Sequence, residues 1–165
     1  MERSKFRYIF PSLRKIRTVL YSHHCTIVCN DKAEKTKDSR YRGYRKKWDN
    51  HPLKKIVAEF PLHVDIEATN ACNLHCPMCY GRESRGKSSF IDFGLFKRVI
   101  DCGAKYGLPS INLSWRGEPF LHPQLIDMIK YAKENEVVDV RINTNGVLVD
   151  AEKCKELLES GLDRI

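Results

Sequence analysis

The stretch His63-Val-Asp-Ile-Glu-Ala-Thr69 is separated by two residues from Cys72-Asn-Leu-His-Cys76-Pro-Met-Cys79, and together they are the most informative part of the sequence. Residues 63–69 alternate polar and apolar side chains, a pattern that predicts a β-strand. Three thiols then follow in the spacing C-x3-C-x2-C. Because this loop is so short, all three sulfurs can bind the same metal-containing group. The sequence therefore predicts a metal-containing group bound immediately after a strand.

Strand-like and helix-like segments alternate downstream of this loop. Residues 110–115 and 137–143 form the next two predicted strands. The predicted helices are, in order, one capped by Asp92 that stops at Gly107-Leu-Pro109, one that opens at Pro123, and one that runs from its cap Asp150 to Gly161. Residues 162–165 look like the entry to a fourth strand. This alternation predicts an α/β fold with a parallel sheet and right-handed crossovers.

Each predicted helix has an apolar stripe that we expect to face the sheet. The expected inner residues are Leu95, Val99, Cys102 and Tyr106 in the first helix, Leu125, Ile129 and Ala132 in the second, and Cys154, Leu157 and Leu158 in the third. Two of these positions are cysteines, which are most simply interpreted as buried thiols.

The predicted strands are apolar on one face only. Strands covered by helices on both faces are apolar throughout, so a doubly wound sheet fits this pattern poorly. A barrel or half-barrel with a polar interior fits it better. The expected interior residues are Asp65, Glu67, Asn112, Ser114, Asp139, Arg141 and Asn143. They suggest a hydrophilic substrate.

Distinctive sequences follow all three predicted strands. The first strand leads into the cysteine loop, the second into Arg116-Gly-Glu-Pro119, and the third into Thr144-Asn-Gly146. In parallel βα barrels the reactive groups gather on the loops after the carboxyl ends of the strands. We therefore expect these three loops to form one site.

These motifs resemble those of the radical S-adenosylmethionine (SAM) superfamily. The resemblance implies that Cys72, Cys76 and Cys79 bind a 4Fe–4S cluster whose fourth iron is chelated by SAM. Three thiolates are one fewer than an all-cysteine cluster takes. Gly117-Glu118-Pro119 matches the second motif of the family, which holds the SAM amino group.

Further SAM contacts are implied at other positions. Thr144 and Asn145 lie in a later landmark of the family, Ile142-Asn-Thr-Asn-Gly146, and Met78 matches a position that contacts adenine largely through its backbone. This landmark and Ser160-Gly-Leu-Asp163 resemble the branch whose members often carry a SPASM extension. Two residues depart from the family pattern: Arg116 replaces a glycine, and Met78 replaces an aromatic residue.

The resemblance implies a fold and an activity. Residues 58–165 would form the N-terminal half of a radical SAM core domain, a partial (β/α) TIM barrel that stops after about three of the usual six βα units. We therefore expect an incomplete chain.

Reductive cleavage of SAM would yield a 5′-deoxyadenosyl radical that abstracts hydrogen from a peptide, sugar or nucleotide derivative. An external reductant of the flavodoxin or ferredoxin type would supply one electron; no catalytic acid or base is identified.

Residues 1–57 form a predicted basic extension and linker. Residues 1–60 hold 16 Lys and Arg against 6 Asp and Glu, whereas residues 61–165 hold 13 against 15. Apolar residues from Phe6 to Leu20 recur at helical spacing around Pro11, which predicts a broken basic helix, docked on the body or lying on an acidic membrane surface.

Residues 31–47 are predicted to be a solvated linker, and residues 49–60 a short lead-in. Nucleic-acid binding by residues 41–48 is not favoured, because charge runs are usually just solvated.

Composition indicates a cytoplasmic protein. Seven cysteines, three of them in one loop, suit a reducing compartment better than a disulfide framework. No apolar run approaches the ~20 residues of a membrane-spanning helix, and the N-terminus lacks a secretory signal pattern.

Several alternatives remain open from the sequence. The three cysteines with His75 could form a Cys3His zinc site. Glu118 could merely cap a turn or pair with Arg116, and Asn145 could be only a turn residue. The whole chain could be a metal-binding or partner-docking module without chemistry of its own.

Overall fold

The computed structural model describes residues 16–21, 24–29, 38–80 and 86–165, and the chain divides into two compact units, Met1–Arg42 and Gly43–Ile165. In the first unit, strand β1 (Ile16–Tyr21) pairs antiparallel with strand β2 (His24–Cys29). The predicted helix is therefore wrong for residues 16–20, and residues 6–15 lie outside the described part. The reason is local, because Ile16, Thr18 and Val19 are β-branched and favour strands.

Helix α1 (Ser39–Lys54) replaces most of the predicted linker and lead-in. The linker prediction is wrong for residues 39–47, whereas residues 31–37 are not described. The Asp38 carboxylate accepts a hydrogen bond from the Tyr41 N–H at 2.8 Å, which satisfies a donor of the first turn. Tyr41 and Tyr44 are both buried, although Arg40, Arg42 and Arg45 are their neighbours in the sequence. Charge counting therefore missed a helix that has aromatic residues on one side.

The second unit contains a three-stranded parallel sheet. Strands β3 (Val64–Asp65), β4 (Ser110–Asn112) and β5 (Asp139–Arg141) lie side by side in the order β3-β4-β5. The regular strands are shorter than predicted, but backbone hydrogen bonds continue past them, for example from Leu113 N–H to the Arg141 carbonyl. Arg164 pairs in parallel with Arg141. This pairing confirms the predicted entry to a fourth strand.

Helices α2 (Phe93–Lys105), α3 (Leu125–Glu134) and α4 (Ala151–Ser160) connect and follow these strands. The predicted ends of α2 and α4 are confirmed, whereas α3 begins at Leu125, after its N-cap Gln124, and not at Pro123 as predicted. Asp92 accepts from the Leu95 N–H at 2.9 Å, and Asp150 accepts from the Lys153 N–H at 2.8 Å. Gly161 ends α4 in the left-handed conformation, at φ +80°, which glycine adopts without steric penalty. None of the described helices is long and apolar enough to span a membrane.

The core lies between the apolar face of the sheet and the helices. It includes Ile66, Ala68, Ile111, Leu113, Val140 and Ile142 from the strands and their extensions, as the alternation predicts. In α3 the predicted residues Leu125, Ile129 and Ala132 are buried, and so is Met128. Trp115 is an exception, because its side chain is 68% exposed.

The predicted inner face of α2 is wrong except for Val99, which packs against the core. Phe96, Ile100 and Gly103 are buried, whereas Leu95, Cys102 and Tyr106 are exposed. Gly103 explains which face of α2 is buried, since a Cβ there would lie 2.7 Å from Cδ2 of Leu108. The missing side chain lets the following segment pack directly on this face of the helix.

The predicted inner face of α4 is also partly wrong. Leu157 is buried, but Leu158 is 82% exposed and Cys154 is exposed as well. Successive helical residues are rotated by about 100°, so adjacent leucines cannot both face the sheet. The same helix therefore offers a buried and an exposed leucine for comparison.

We expect Leu157→Ala to lower the free energy of unfolding by about 2–5 kcal/mol, because it removes buried methyl groups and leaves a cavity. The matched change Leu158→Ala should stay within about 0.5 kcal/mol, because its side chain is already in solvent. Urea denaturation followed by circular dichroism measures both. Equal losses in the two variants would contradict the assigned helix orientation.

Candidate functional site

The loops that follow β3, β4 and β5 meet at one edge of the sheet. Two hydrogen bonds demonstrate this directly. The Glu118 N–H donates to the Ala71 carbonyl at 2.7 Å, and Asn145 Nδ2 donates to Asn73 Oδ1 at 2.8 Å. Both acceptors lie in or beside the cysteine loop. The expectation that the three motifs gather in one place is therefore confirmed.

The cysteine loop presents three thiols. Cys72, Cys76 and Cys79 all carry thiols, and each is partly exposed. The Leu74 N–H approaches Cys72 Sγ at 3.5 Å, and the Cys79 N–H donates to the Cys76 carbonyl at 3.1 Å. The backbone thus turns tightly between the second and third cysteine.

The donor set fits either an iron–sulfur cluster or a zinc ion. Soft thiolates are ligands that both of these take. Within the described residues, no three His, Cys, Asp or Glu side chains are already arranged around one point, and this applies to the three cysteines themselves. His75, the fourth ligand of the zinc alternative, is exposed on the loop. The predicted cluster ligands and the zinc alternative both stay predictions.

Gly117 allows two loops to approach each other closely. A Cβ at this position would lie 2.1 Å from the Thr69 carbonyl oxygen and 2.6 Å from that of Ala71. Such distances are impossible for real atoms, so any side chain here would push the β4 loop away from the base of the cysteine loop. Gly117 is therefore required by backbone packing.

Glu118 is the most connected residue of the site. Its side chain is buried, with 2% of the residue exposed. Oε1 accepts from the Thr144 hydroxyl at 2.7 Å and from the Phe120 N–H at 3.1 Å, and Oε2 accepts from the Asn145 N–H at 2.8 Å. The carboxylate joins the β4 loop to the β5 loop. It also caps the short 3-10 turn Pro119–Leu121.

Thr144 and Asn145 hold the β5 loop in a defined shape. The Thr144 hydroxyl oxygen accepts from the Gly146 N–H at 3.0 Å, and Asn145 Oδ1 accepts from the Val147 N–H at 3.0 Å. The second bond fixes the orientation of the Asn145 amide, so its Nδ2 must face Asn73. Both side chains contribute to loop structure, and their predicted contacts with SAM stay predictions. The predicted SAM contact of Met78, which is 86% exposed, also stays a prediction.

Arg116 pairs with Glu67 and not with Glu118. Arg116 Nε donates to Glu67 Oε1 at 2.9 Å, and Nη2 donates to Oε2 at 2.6 Å. The hydrogen bond from Arg116 lowers the pKa of Glu67, and the same bond raises the pKa of Arg116. The alternative pairing of Glu118 with Arg116 is therefore wrong. The Glu67 pair was missed from the sequence, because the partners are 49 positions apart.

Much of the rest of the polar face is hydrogen-bonded to itself, whereas Asn112 Oδ1 and Arg141 Nε are buried without a hydrogen-bond partner among the described residues. Asn112 Nδ2 donates to Asp65 Oδ1 at 2.7 Å, and His63 Nδ1 lies 2.9 Å from Ser110 Oγ. Burial, and then the positive charge of Arg141, lower the pKa of His63. These partners of His63 could not be predicted from the sequence, because they lie on other strands. The predicted polar face exists, but much of it is occupied by its own network.

The chain is similar to proteins of a known family. The profile of the radical SAM superfamily matches residues 66–165, more than half of the chain. The chain therefore belongs to the radical SAM superfamily. Its α/β fold, with a parallel sheet covered by helices on one face, is part of the barrel of that family.

Two curated relatives show how much of such proteins the chain represents. The tungsten-containing aldehyde ferredoxin oxidoreductase cofactor-modifying protein of Pyrococcus furiosus is 35% identical over 101 residues, which cover 61% of this chain and 28% of the relative. The GTP 3',8-cyclase of Chlorobaculum tepidum is 35% identical over 104 residues, which cover 62% and 31%. The chain thus spans less than a third of the length of either relative.

A solved structure shows the same fold. The crystal structure of BtrN in complex with AdoMet and 2-DOIA matches with a TM-score of 0.60 at 22% identity, and the match covers 64% of this chain and 44% of BtrN. At this identity the likeness is evidence for the fold alone.

The contact between Asn73 and Asn145 yields a directional prediction. Asn145→Asp replaces the donor with an oxygen that repels Asn73 Oδ1, whereas Asn73→Asp keeps the acceptor. A hydrogen bond of this kind contributes about 0.5–1.5 kcal/mol. We therefore expect Asn145→Asp to speed amide hydrogen exchange in residues 72–79 about twofold to tenfold, with no acceleration in Asn73→Asp.

Asn73→Ala is the control for this prediction, because it removes the acceptor and should behave like Asn145→Asp. Equal exchange in all three variants and the unaltered chain would show that the contact does not hold the cysteine loop.

Proposed function

We propose that this chain carries the cluster and SAM sites of a radical SAM enzyme. Cys72, Cys76 and Cys79 would ligate a 4Fe–4S cluster, and SAM would bind at the same edge of the sheet. When bound, these groups supply a one-electron cleavage of SAM that gives a 5′-deoxyadenosyl radical, which abstracts hydrogen from the substrate. The single observation that carries the proposal is the hydrogen-bonded junction of the cysteine loop with the β4 and β5 loops.

This junction supports the proposal because it gives the three thiols a fixed frame. The Glu118 N–H anchors the base of the cysteine loop, and Asn145 anchors Asn73 between the first two cysteines. A site whose supporting residues are locked in place holds its ligands in one geometry. Family membership supplies the identity of the group that such a frame would hold.

Glu118 retains capacity for the SAM ammonium group. A carboxylate offers about four lone-pair positions, and the described residues fill three of them. An ammonium donor at the remaining position on Oε2 would form a charge-assisted hydrogen bond, which is short and directional. Glu118 would then orient SAM and support the β5 loop at the same time.

The other proposed SAM contacts divide into backbone and side-chain contributions. Gly117, Pro119 and Met78 would act through their backbone or their shape, because they bring no charged group. Thr144 and Asn145 would present the edges of side chains that are already fixed by loop hydrogen bonds. Preorganised contacts of this kind reduce the entropy lost on binding.

The wider setting of the enzyme is also a proposal. We assign residues 1–57 to a basic extension and residues 58–165 to the N-terminal half of the core domain, of the SPASM-type branch, in a cytoplasmic protein. A flavodoxin or ferredoxin type protein would deliver the electron. The polar side chains of the sheet support a hydrophilic substrate, a peptide, sugar or nucleotide derivative.

Anaerobic reconstitution with iron and sulfide tests this function. The unaltered chain should turn brown, bind about four iron atoms, and show a paramagnetic signal on reduction that changes when SAM is added. Cys76→Ala should abolish the colour and most of the iron, because it removes one of only three ligands.

Cys102→Ser is the matched control, since this thiol is exposed on α2 and outside the loop; it should reconstitute like the unaltered chain. Retention of the cluster in Cys76→Ala would mean that the ligands are misassigned. A colourless protein carrying stoichiometric zinc would instead identify a metal-binding module.

A further inference from the structure

Glu67 holds the Arg116 guanidinium in one orientation. Nε and Nη2 donate to the two oxygens of the carboxylate at 2.9 and 2.6 Å, and the Arg116 backbone N–H donates to Oε1 at 3.1 Å. This fork uses one edge of the guanidinium plane. Because the backbone N–H is bound to the same carboxylate, the first part of the arginine is tied down as well as its end.

The end of the guanidinium has donors that no described residue uses. Arginine has five N–H donors, and Glu67 takes two of them, one from Nε and one from Nη2. No described residue accepts a hydrogen bond from Nη1 or from the second N–H of Nη2, and these two nitrogens form the other fork of the guanidinium. The Arg116 side chain is 35% exposed.

The pair lies beside the cysteine loop. Glu67 is five positions before Cys72 and belongs to the polar set of the strands, and Arg116 opens the β4 loop. Gly117, the residue after Arg116, lies against the carbonyl oxygens of Thr69 and Ala71. The backbone at Arg116 is therefore next to the base of the loop that carries the thiols.

We propose that Arg116, held by Glu67, forms a subsite for a carboxylate or phosphate oxyanion. Two parallel N–H donors match the two oxygens of such a group, which is the basis of bidentate recognition by arginine. Glu67 already balances the formal charge, so binding depends on directional hydrogen bonds. The subsite therefore selects planar or tetrahedral oxyanions over a halide ion.

The restraint of the Arg116 side chain by Glu67 favours oxyanion binding. A free arginine side chain loses rotamer freedom when it binds a ligand, but Glu67 has already removed much of that freedom. The oxyanion can come from the methionyl part of SAM or from an acidic substrate. The first assignment rests on the proposed function, whereas the subsite itself rests on the geometry of the pair.

A titration on this chain without cluster tests the subsite. The Arg116 side-chain N–H signals are followed by NMR while L-methionine, L-methioninamide, inorganic phosphate or chloride is added at constant ionic strength. L-Methioninamide is the matched probe, because it differs from L-methionine only in lacking the carboxylate. We expect L-methionine to shift the Arg116 signal, and L-methioninamide and chloride to leave it unchanged.

The response to phosphate identifies the source of the oxyanion. A shift with phosphate as well as L-methionine supports a general oxyanion subsite that is open to acidic substrates. A shift with L-methionine alone supports a subsite for the carboxylate of SAM. The absence of a shift with both probes would overturn the proposal, and it would do so whether or not the chain takes up a cluster.

Substitutions separate the fork from simple charge. Arg116→Lys keeps the positive charge but loses the planar donors, so the affinity for L-methionine should fall about fivefold to tenfold. Unchanged affinity in this variant would overturn the bidentate assignment. Thermal unfolding of the variant verifies that it is folded, and the arginine signals of the unaltered chain give a result independent of any substitution.

Discussion

The structure of the site depends on one buried carboxylate. Glu118 is almost inaccessible to solvent, and a buried charge is tolerated only where polar groups replace water. Its three donors come from two different loops, through the Thr144 hydroxyl and the N–H groups of Phe120 and Asn145. The need to satisfy this charge forces the β4 and β5 loops together. The two loops thereby acquire a defined geometry.

The cysteine loop is attached to this junction at two points. Gly117 lets the β4 loop lie against the carbonyls of Thr69 and Ala71, and Asn145 reaches Asn73 from the other side. The regular strands beneath are only two or three residues long, so the sheet alone sets the direction of the loops but not their detail. Hydrogen bonds between loops supply that detail. The sheet thus provides the scaffold, and the loops at its edge carry the functional residues.

Local signals were predictable from the sequence, and long-range choices were not. The caps Asp92, Asp150 and Gly161 depend on neighbours within a few residues, and all three were found. The inner face of α2 depends on how Leu108 packs against Gly103, which periodicity cannot reveal.

Among the functional residues, the sequence located the cysteine loop and the motifs after β4 and β5. It did not give the connections between them. The pairing of Arg116 with Glu67 and that of Asn145 with Asn73 join positions far apart in the chain. Hydrogen exchange at the backbone N–H of Asn145, which donates to Glu118, is the measurement that tests the role of Glu118 in the unaltered chain. We expect its exchange rate to lie within about tenfold of that of a backbone N–H in the sheet, such as that of Leu113. Exchange as fast as that of an unbonded N–H on the surface would contradict the central role of Glu118.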